Sequence, residues 1–303
     1  PCIGLAALRL IREDPEATMV VLPADQRIAP VEAFQQTLRL AEQLVQEDAS
    51  RLITFGIRPT YPAETFGYIE RGEPIPRPSG AGPTEPAANR ENPPAGSASG
   101  PGERQADEWP KVYRVQKFHE KPKADTAQQY LASGRFYWNS GMFVWKSRTI
   151  LAELERHQPE MYTHLDRIAQ AADTPTFDQV LREEFSAIRG LSIDYAVMEH
   201  AENVLVIEAP FTWDDVGNWR ALERCISADP QGNVLSAEKT LLLDSAGCIV
   251  RSTDPKHLVV AVGLQDVLIV VTPDATLVAD KRREESLRKV TQMLAERGWT
   301  EYL

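Results

Sequence analysis

Three short runs of consecutive apolar residues predict strands that are buried on both faces of a sheet. They cover residues 19–22, 52–57 and 204–207. A run without polar alternation is typical of a strand covered on both sides, as in a parallel sheet. Between the first two runs, residues 31–48 carry apolar side chains at helical spacing. Strand, helix and strand in this order favour an α/β fold with a doubly wound, mostly parallel, three-layer sheet.

Further elements continue this pattern as far as residue 229. Helices are predicted over residues 3–12, 124–133, 147–187 (with joins at Pro159 and Pro175) and 196–200. Strands are predicted over residues 112–118 and 136–145, and a helix is expected to begin near Asn218. We expect residues 1–229 to form one α/β domain.

The pattern changes beyond residue 230, where short β-branched strands alternate with turn residues. The predicted strands cover residues 241–243, 248–251, 258–262, 267–271 and 276–278. This spacing predicts a small all-β appendage over residues 230–280, either a short β-helix or a meander. The closing segment, 281–303, begins with a charged helix over residues 281–297.

Residues 74–110 interrupt the α/β pattern. They hold nine of the 22 prolines and almost no bulky aliphatic side chains. Such a segment cannot bury enough apolar surface to offset its ordering entropy. We therefore predict a disordered surface insertion, with a proline-rich docking motif as the alternative.

Composition narrows the function classes. The 303 residues carry a net charge of −11, which argues against a duplex-binding surface because that needs a basic footprint. No apolar run is long enough to span a bilayer, and no signal peptide is visible. Three cysteines without metal or redox spacing fit a reducing cytoplasm. Because the chain begins at Pro1 with a helix already under way, we expect a fragment that lacks earlier strands.

Acidic residues follow two of the buried strands. Asp214 and Asp215 lie between the run at 204–207 and Gly217, and Asp25 follows the first run. Carboxylates at the carboxyl edge of one sheet could hold Mg²⁺ against phosphate oxygens, because Mg²⁺ prefers hard oxygen ligands. The alternatives are that Asp214 or Asp215 caps the helix near Asn218, and that Asp25 is a turn or cap residue.

Polar residues at the ends of other strands suit an anionic sugar. Lys121 could contact a phosphate, and Pro122 predicts an extended backbone for it; the alternative is a solvated surface lysine. Glu120 could accept hydrogen bonds from hydroxyls or pair with a cation. Asn139 could bind a hydroxyl pair or form an Asx turn.

Gly67 and Gly141 permit close approach of a ligand to the backbone, or serve only turn geometry. We expect Ser192 and Asp194 to cap the helix that follows them.

Six short motifs occur in the order in which a known family carries them. The motifs are Leu22-Pro23-Ala24-Asp25, Pro59-Thr60 with Glu64-Thr65-Phe66-Gly67-Tyr68-Ile69, Phe118-His119-Glu120-Lys121-Pro122, Trp138-Asn139-Ser140-Gly141-Met142-Phe143, Ser192-Ile193-Asp194-Tyr195-Ala196-Val197-Met198-Glu199 and Trp213-Asp214-Asp215-Val216-Gly217-Asn218-Trp219. With them the chain resembles the mannose-1-phosphate guanylyltransferases (GDP-mannose pyrophosphorylases), within the sugar-nucleotide pyrophosphorylase superfamily. A segment from Val267 to Arg282 also looks like the C-terminal region of this family.

The resemblance implies a Rossmann-like nucleotidyltransferase fold and a reaction. GTP and mannose 1-phosphate would give GDP-mannose and pyrophosphate, with Asp25 and Asp215 as Mg²⁺ ligands. Lys121 would contact the sugar phosphate, and Gly67, Glu120 and Asn139 would line the sugar. The attacking phosphate oxygen is already anionic, so no general base is required. Separately from the resemblance, the β appendage is a candidate contact for a homodimer, and the sequence leaves the oligomeric state open.

The chain departs from the family before Asp25, where no Gly-rich loop with Arg and Lys occurs, and Gln26 stands where the family commonly has His. We therefore expect the N-terminal strand and nucleotide loop to be missing. No cupin-length region for a fused isomerase domain follows residue 280. Two alternatives stay open: a non-catalytic sugar-phosphate-binding homologue, and a pyrophosphorylase for another sugar 1-phosphate or nucleotide.

Overall fold

The computed structural model describes residues 1–76 and 110–303, and this part of the chain divides into two compact units. The first unit comprises Pro1–Ala24 and Ile28–Trp213. The second comprises Asp25–Arg27 and Asp214–Leu303. Most of the predicted insertion at 74–110 lies outside the described residues.

The first unit contains six α-helices and a six-stranded sheet among its described residues. Each of the predicted helices and strands up to residue 187 is found within a few residues of its expected bounds. The helices are α1 (Cys2–Glu13), α2 (Val31–Glu47), α3 (Ala124–Ser133), α4 (Ser147–His157), α5 (Pro159–Ala171) and α6 (Phe177–Ala187). The sheet strands are β1 (Thr18–Val21), β3 (Leu52–Ile57), β4 (Tyr68–Pro74), β5 (Val112–His119), β6 (Phe136–Lys146) and β7 (Val204–Glu208).

The direction of the strands differs from the prediction, although the α/β class is confirmed. The strand order is β1-β6-β3-β7-β5-β4. Only β3 and β7 pair in parallel, and the other described pairings in this sheet are antiparallel. The expectation of a mostly parallel sheet was therefore wrong. An apolar run reports burial on both faces, which a mixed sheet covered by helices also provides.

Helices cover both faces of this sheet. Ile53 and Phe55 of β3 belong to an apolar cluster that includes α2, whereas Leu52 belongs to a second cluster with α1 and α4. Successive side chains of a strand point to opposite faces, so the two clusters lie on opposite sides. Each fully buried aliphatic or aromatic side chain contributes about 1.5–3 kcal/mol by leaving water.

A short π-helical turn, Asp194–Met198, stands where a helix was expected over residues 196–200. The amide of Glu199 donates to the Asp194 carbonyl at 3.0 Å, which closes the wider ring of this helix type. Ala196, Val197 and Met198 are buried in the second cluster. Asp194, the first residue of the turn, therefore lies two residues before the first of these buried core residues.

Two short strands outside the main sheet pair with each other. They are β2 (Arg27–Ala29), two residues after Asp25, and β8 (Thr212–Asp214), directly before Asp215. The hydroxyl of Thr212 also donates to the Ala29 carbonyl at 2.9 Å. Asp215 therefore follows β8 rather than a strand of the main sheet.

The second unit is mainly a small parallel β structure. Strand β11 pairs in parallel with β9 and β13, β10 pairs in parallel with β12, and β14 returns antiparallel to β13. This confirms the β-helix-like appendage and adds β9, which the sequence did not predict. The elements are α7 (Ala221–Cys225), β9 (Val234–Ser236), β10 (Lys239–Leu243), β11 (Ile249–Ser252), β12 (Leu258–Val262), β13 (Val267–Val271), β14 (Thr276–Asp280), a 3₁₀ segment (Lys281–Ser286) and α8 (Leu287–Glu296).

Within the described ranges, no helix is long and apolar enough to cross a membrane.

Candidate active site

Three of the predicted sugar-binding residues lie together in the first unit. The backbone N–H of Asn139, in β6, donates to the Gly67 carbonyl at 2.8 Å. A Cβ added to Gly67 would stand 3.2 Å from Glu120 Oε2 and 3.7 Å from Asn139 Cβ. A side chain at position 67 would therefore crowd the Glu120 carboxylate and come into ordinary contact with Asn139. Glycine keeps this small space between a carboxylate and a carboxamide open.

Lys121 lies beside this group at the end of β5. Its ammonium is 2.8 Å from Glu120 Oε1, and 62% of its side chain is exposed. The hydrogen bond and the charge of Glu120 raise the pKa of Lys121 above its ordinary value, with smaller contributions from Tyr195 and Asp194. The predicted pairing of Glu120 with a cation is thus present, and the lysine stays charged.

The backbone of Lys121 is not extended, contrary to the expectation drawn from Pro122. Its φ is +27°, in a region that residues other than glycine rarely adopt. The chain leaves β5 at His119 and must begin α3 by Ala124, so it bends sharply between them. Strain of this kind is concentrated at binding and catalytic sites.

Both ends of the Asn139 carboxamide are held by the protein. Its Oδ1 accepts from the Gly141 amide at 3.2 Å, which is the predicted Asx turn. Its Nδ2 donates to Asp194 Oδ1 at 2.7 Å. Burial raises the pKa of Asp194, although the hydrogen bond from Asn139 acts in the opposite direction.

The expected capping role of Asp194 was therefore wrong, because its carboxylate faces Asn139. Ser192 keeps only a long 3.5 Å contact from the Tyr195 amide. The sequence holds no local signal for the Asn139–Asp194 pair, since 55 residues separate the two.

Asp214, in the second unit, forms a salt bridge with Arg224. Arg224 Nη2 donates to its Oδ1 at 3.0 Å, and Arg224 Nε to its Oδ2. The Val216 amide also donates to Oδ1 at 2.9 Å. Burial opposes ionisation of Asp214, but these bonds and the nearby Arg27 charge outweigh it and hold its pKa below the ordinary value.

Asp215 has a different environment. Burial raises its pKa, the hydrogen bond from the Gly217 amide opposes that rise, and the charge of Asp214 adds to it. Asn218 caps the start of α7, because its Oδ1 accepts a hydrogen bond from the Ala221 backbone amide at 3.1 Å. Asp215 is therefore not the helix cap. Between Asp215 and Gly217, Val216 has a φ of +47°, a strained value for a β-branched residue. A half-buried carboxylate beside another carboxylate is a suitable neighbour for a cation.

Asp25 is an exposed turn residue, and among the described residues it has no hydrogen-bond or ion-pair partner. It belongs to the same compact unit as Asp215, whereas Gly67, Glu120, Lys121 and Asn139 belong to the other. Within the described ranges, no three His, Cys, Asp or Glu side chains are grouped closely enough to hold a metal ion. The two aspartates nevertheless have the hard oxygen donors that fit Mg²⁺, which commonly takes one or two carboxylates and completes its shell with phosphate oxygens and water.

Comparison with protein families places the chain among nucleotidyltransferases. A family model described as nucleotidyl transferase matches residues 96–232, and one described as a mannose-phosphate isomerase/GMP-like β-helix domain matches residues 238–294. The second match coincides with the parallel β structure.

Whole-chain relatives agree with these matches. A mannose-1-phosphate guanylyltransferase from Escherichia coli is 34% identical over 100% of this chain and 57% of its own length. The alginate biosynthesis protein AlgA from Pseudomonas fluorescens is 31% identical over 99% of this chain and 55% of its own. The chain thus spans little more than half the length of these relatives.

A solved structure matches both units. A crystal structure from Thermus thermophilus, described as a mannose-1-phosphate geranyltransferase, superposes with a TM-score of 0.74 at 30% identity. The match covers 97% of this chain and 75% of that one.

Proposed function

This chain belongs to the mannose-1-phosphate guanylyltransferase family, and on that basis we propose that it transfers a guanylyl group from GTP to mannose 1-phosphate, releasing pyrophosphate. The observation that carries the proposal is the grouping of Gly67, Glu120 and Asn139 with Lys121, which contacts Glu120 and is largely exposed. A carboxylate and a carboxamide offer acceptors and a donor for sugar hydroxyls, and an ammonium offers charge for the phosphate.

The reaction needs positioning more than proton transfer. The attacking group is a phosphate oxygen that is already anionic at neutral pH, so the protein must bring two anions into line. Lys121 offsets part of the repulsion between them. To do so it exchanges its contact with Glu120 for the sugar phosphate, which releases the Glu120 carboxylate to accept from a hydroxyl.

We assign Mg²⁺ to Asp25 and Asp215. Asp214 is a poorer candidate because Arg224 occupies both of its oxygens. The ion would neutralise charge on the departing pyrophosphate. In this assignment Asp215 supplies the half-buried ligand and Asp25 the exposed one.

Two further proposals concern the setting of the enzyme. All three cysteines are unpaired, which supports a cytoplasmic location. A homodimer is supported by an exposed surface on β10 and β12, which we term the aliphatic face. Each of its side chains is 49–59% exposed, and a two-fold interface uses the same patch on both subunits. The aliphatic face consists of Leu241, Leu243, Leu258, Val260 and Val262.

The activity can be tested by following pyrophosphate release. The protein would be incubated with Mg²⁺, GTP and mannose 1-phosphate, with ATP replacing GTP and glucose 1-phosphate replacing mannose 1-phosphate in two further reactions. We expect release that depends on both substrates and falls in these two reactions. Absence of release while a family relative is active in parallel would reject the proposal. Higher release with another sugar 1-phosphate would reassign the substrate.

A further inference from the structure

Asp194 is hydrogen-bonded to a predicted sugar-binding residue, Asn139, without belonging to the predicted set itself. We propose that Asp194 is a positioning residue: it fixes the orientation of the Asn139 carboxamide and thereby decides which hydroxyl pattern of a hexose 1-phosphate the site accepts. This inference rests on the proposed function, because it assigns a role within the same site.

The two hydrogen bonds of Asn139 select one of its two amide orientations. Nδ2 donates to Asp194 at 2.7 Å, and Oδ1 accepts from the Gly141 amide at 3.2 Å. Rotating the amide by 180° would set an oxygen against the Asp194 carboxylate and an NH₂ against the Gly141 N–H. Both contacts would then pair like with like. The orientation seen here is therefore the only one of the two that satisfies both neighbours.

This orientation leaves a defined set of free groups. An asparagine side chain has two N–H donors and two acceptor lone pairs, and the protein uses one of each. One N–H and one lone pair of Asn139 therefore remain for a ligand, each on a fixed side. Hexoses that differ only in the configuration of one hydroxyl present donors and acceptors in different directions, so a fixed amide can distinguish them.

Asp194 is itself held in place by the core. It begins the π-helical turn, whose residues Ala196, Val197 and Met198 are at most 1% exposed. The side chain of Gln158 donates to the Ala196 carbonyl at 3.3 Å, which ties the turn to the start of α5. Single-turn π-helices occur frequently at functional sites. Here the turn carries a carboxylate from the core to the group formed by Gly67, Glu120 and Asn139.

The test compares three variants of the protein. Asp194→Ala removes the acceptor for Asn139. Asp194→Asn keeps an acceptor oxygen but removes the charge. Glu199→Ala is the matched control, because Glu199 is an exposed carboxylate at the other end of the same turn.

For Asp194→Ala we expect the KM for mannose 1-phosphate to rise about 10- to 100-fold, by analogy with the range found when groups that orient metal ligands are removed. The KM for GTP and kcat should change less than about twofold, and the preference for mannose 1-phosphate over glucose 1-phosphate should fall. Asp194→Asn should restore part of the affinity, and Glu199→Ala should behave as wild type. An unchanged KM and preference in Asp194→Ala would overturn the proposal, as would a parallel loss of kcat and thermal stability.

Two measurements decide the proposal without turnover. Calorimetry of mannose 1-phosphate binding in the absence of GTP should show the same loss of affinity in Asp194→Ala. The side-chain amide resonances of Asn139, assigned with Asn139→Ala, should move in Asp194→Ala and stay in place in Glu199→Ala. If wild-type protein released no pyrophosphate, the proposed function would fail, and these two measurements would still support or overturn the role of Asp194.

Discussion

At the scale of single residues, the adjacent carboxyl groups of Asp214 and Asp215 have pKa values shifted in opposite directions. Arg224 binds both oxygens of Asp214, whereas its nearest contact to the half-buried Asp215 carboxylate is a 4.0 Å ion pair. A carboxyl group whose pKa is lower in the folded than in the unfolded protein stabilises the fold at pH values above its ordinary pKa. A carboxyl group whose pKa is higher in the folded protein destabilises the fold in that pH range. The neighbours therefore influence stability with opposite signs near neutral pH.

This contrast yields a paired prediction. At pH 7, Asp214→Asn should lower the free energy of unfolding by about 1 kcal/mol through loss of a partly exposed ion pair. Asp215→Asn should leave stability unchanged or raise it, while Mg²⁺-dependent turnover falls at least about 10- to 100-fold, the cost of removing even a group that only orients a metal ligand. Denaturant titrations and pyrophosphate assays would measure both effects.

The pH dependence supplies the control. The Asp215→Asn difference should disappear as the pH falls to the ordinary Asp value of about 3.9, because the folded-state pKa of Asp215 lies above it. The Asp214→Asn difference should persist there and shrink only at lower pH, because the folded-state pKa of Asp214 lies below that value. A destabilised Asp215→Asn variant that keeps its activity per folded molecule would contradict the assignment of Asp215 as a metal ligand.

A second prediction at this scale concerns Gly217. A Cβ there would stand 2.7 Å from Asp215 Oδ2, the mobile end of a side chain. In Gly217→Ala the carboxylate should move aside, so turnover should fall while the melting temperature changes by no more than a few degrees. Gly190→Ala is the matched control, because a Cβ at Gly190 meets nothing within 4 Å. Equal activities in the two variants would show that the position of the Asp215 carboxylate is unimportant.

At the scale of elements, the sequence predicted local structure well and strand direction poorly. Helix α3 has its predicted bounds because residues 124–133 follow Pro122 and end before Gly134, which adopts a φ of +64°. Strand direction depends on partners that no local pattern reveals. The candidate site shows the same division: Gly67, Glu120 and Asn139 were predicted from motifs, but Asp194 acquires its role from a partner 55 residues away.

The packing of β3 against its neighbours yields a prediction for an element. A Cβ on Gly56 would stand 2.7 Å from both Tyr137 Cγ and Val206 Cγ2. These atoms are buried, so Gly56→Ala should lower the free energy of unfolding by about 1–3 kcal/mol through overpacking. Urea unfolding would measure this, again with Gly190→Ala for comparison. A Gly56→Ala variant as stable as that control would mean that the sheet opens at this position without cost.

At the scale of the whole molecule, the aliphatic face defines the expected assembly. Leu241 and Val260 are opposite each other in the parallel pairing of β10 and β12. The double variant Leu241→Lys, Val260→Lys should convert a dimer to a monomer in light scattering coupled to gel filtration, because it would bury two charges per subunit. Val278→Lys is the control, since Val278 is 62% exposed and lies outside this face. A wild-type protein that is monomeric, or a double variant that remains dimeric, would exclude this interface.

The location of Asn139 within β6 has a consequence for how sugar preference can change. That strand is hydrogen-bonded to β1, β3 and β4, so the backbone that carries Asn139 is rigid before any substrate binds. Binding there should carry a small ordering penalty, and a substitution in the strand should disturb the sheet together with the ligand. Sugar preference should therefore be altered most readily through the bend at Lys121 and the π-helical turn, because both segments contact predicted sugar-binding residues from outside the ladder.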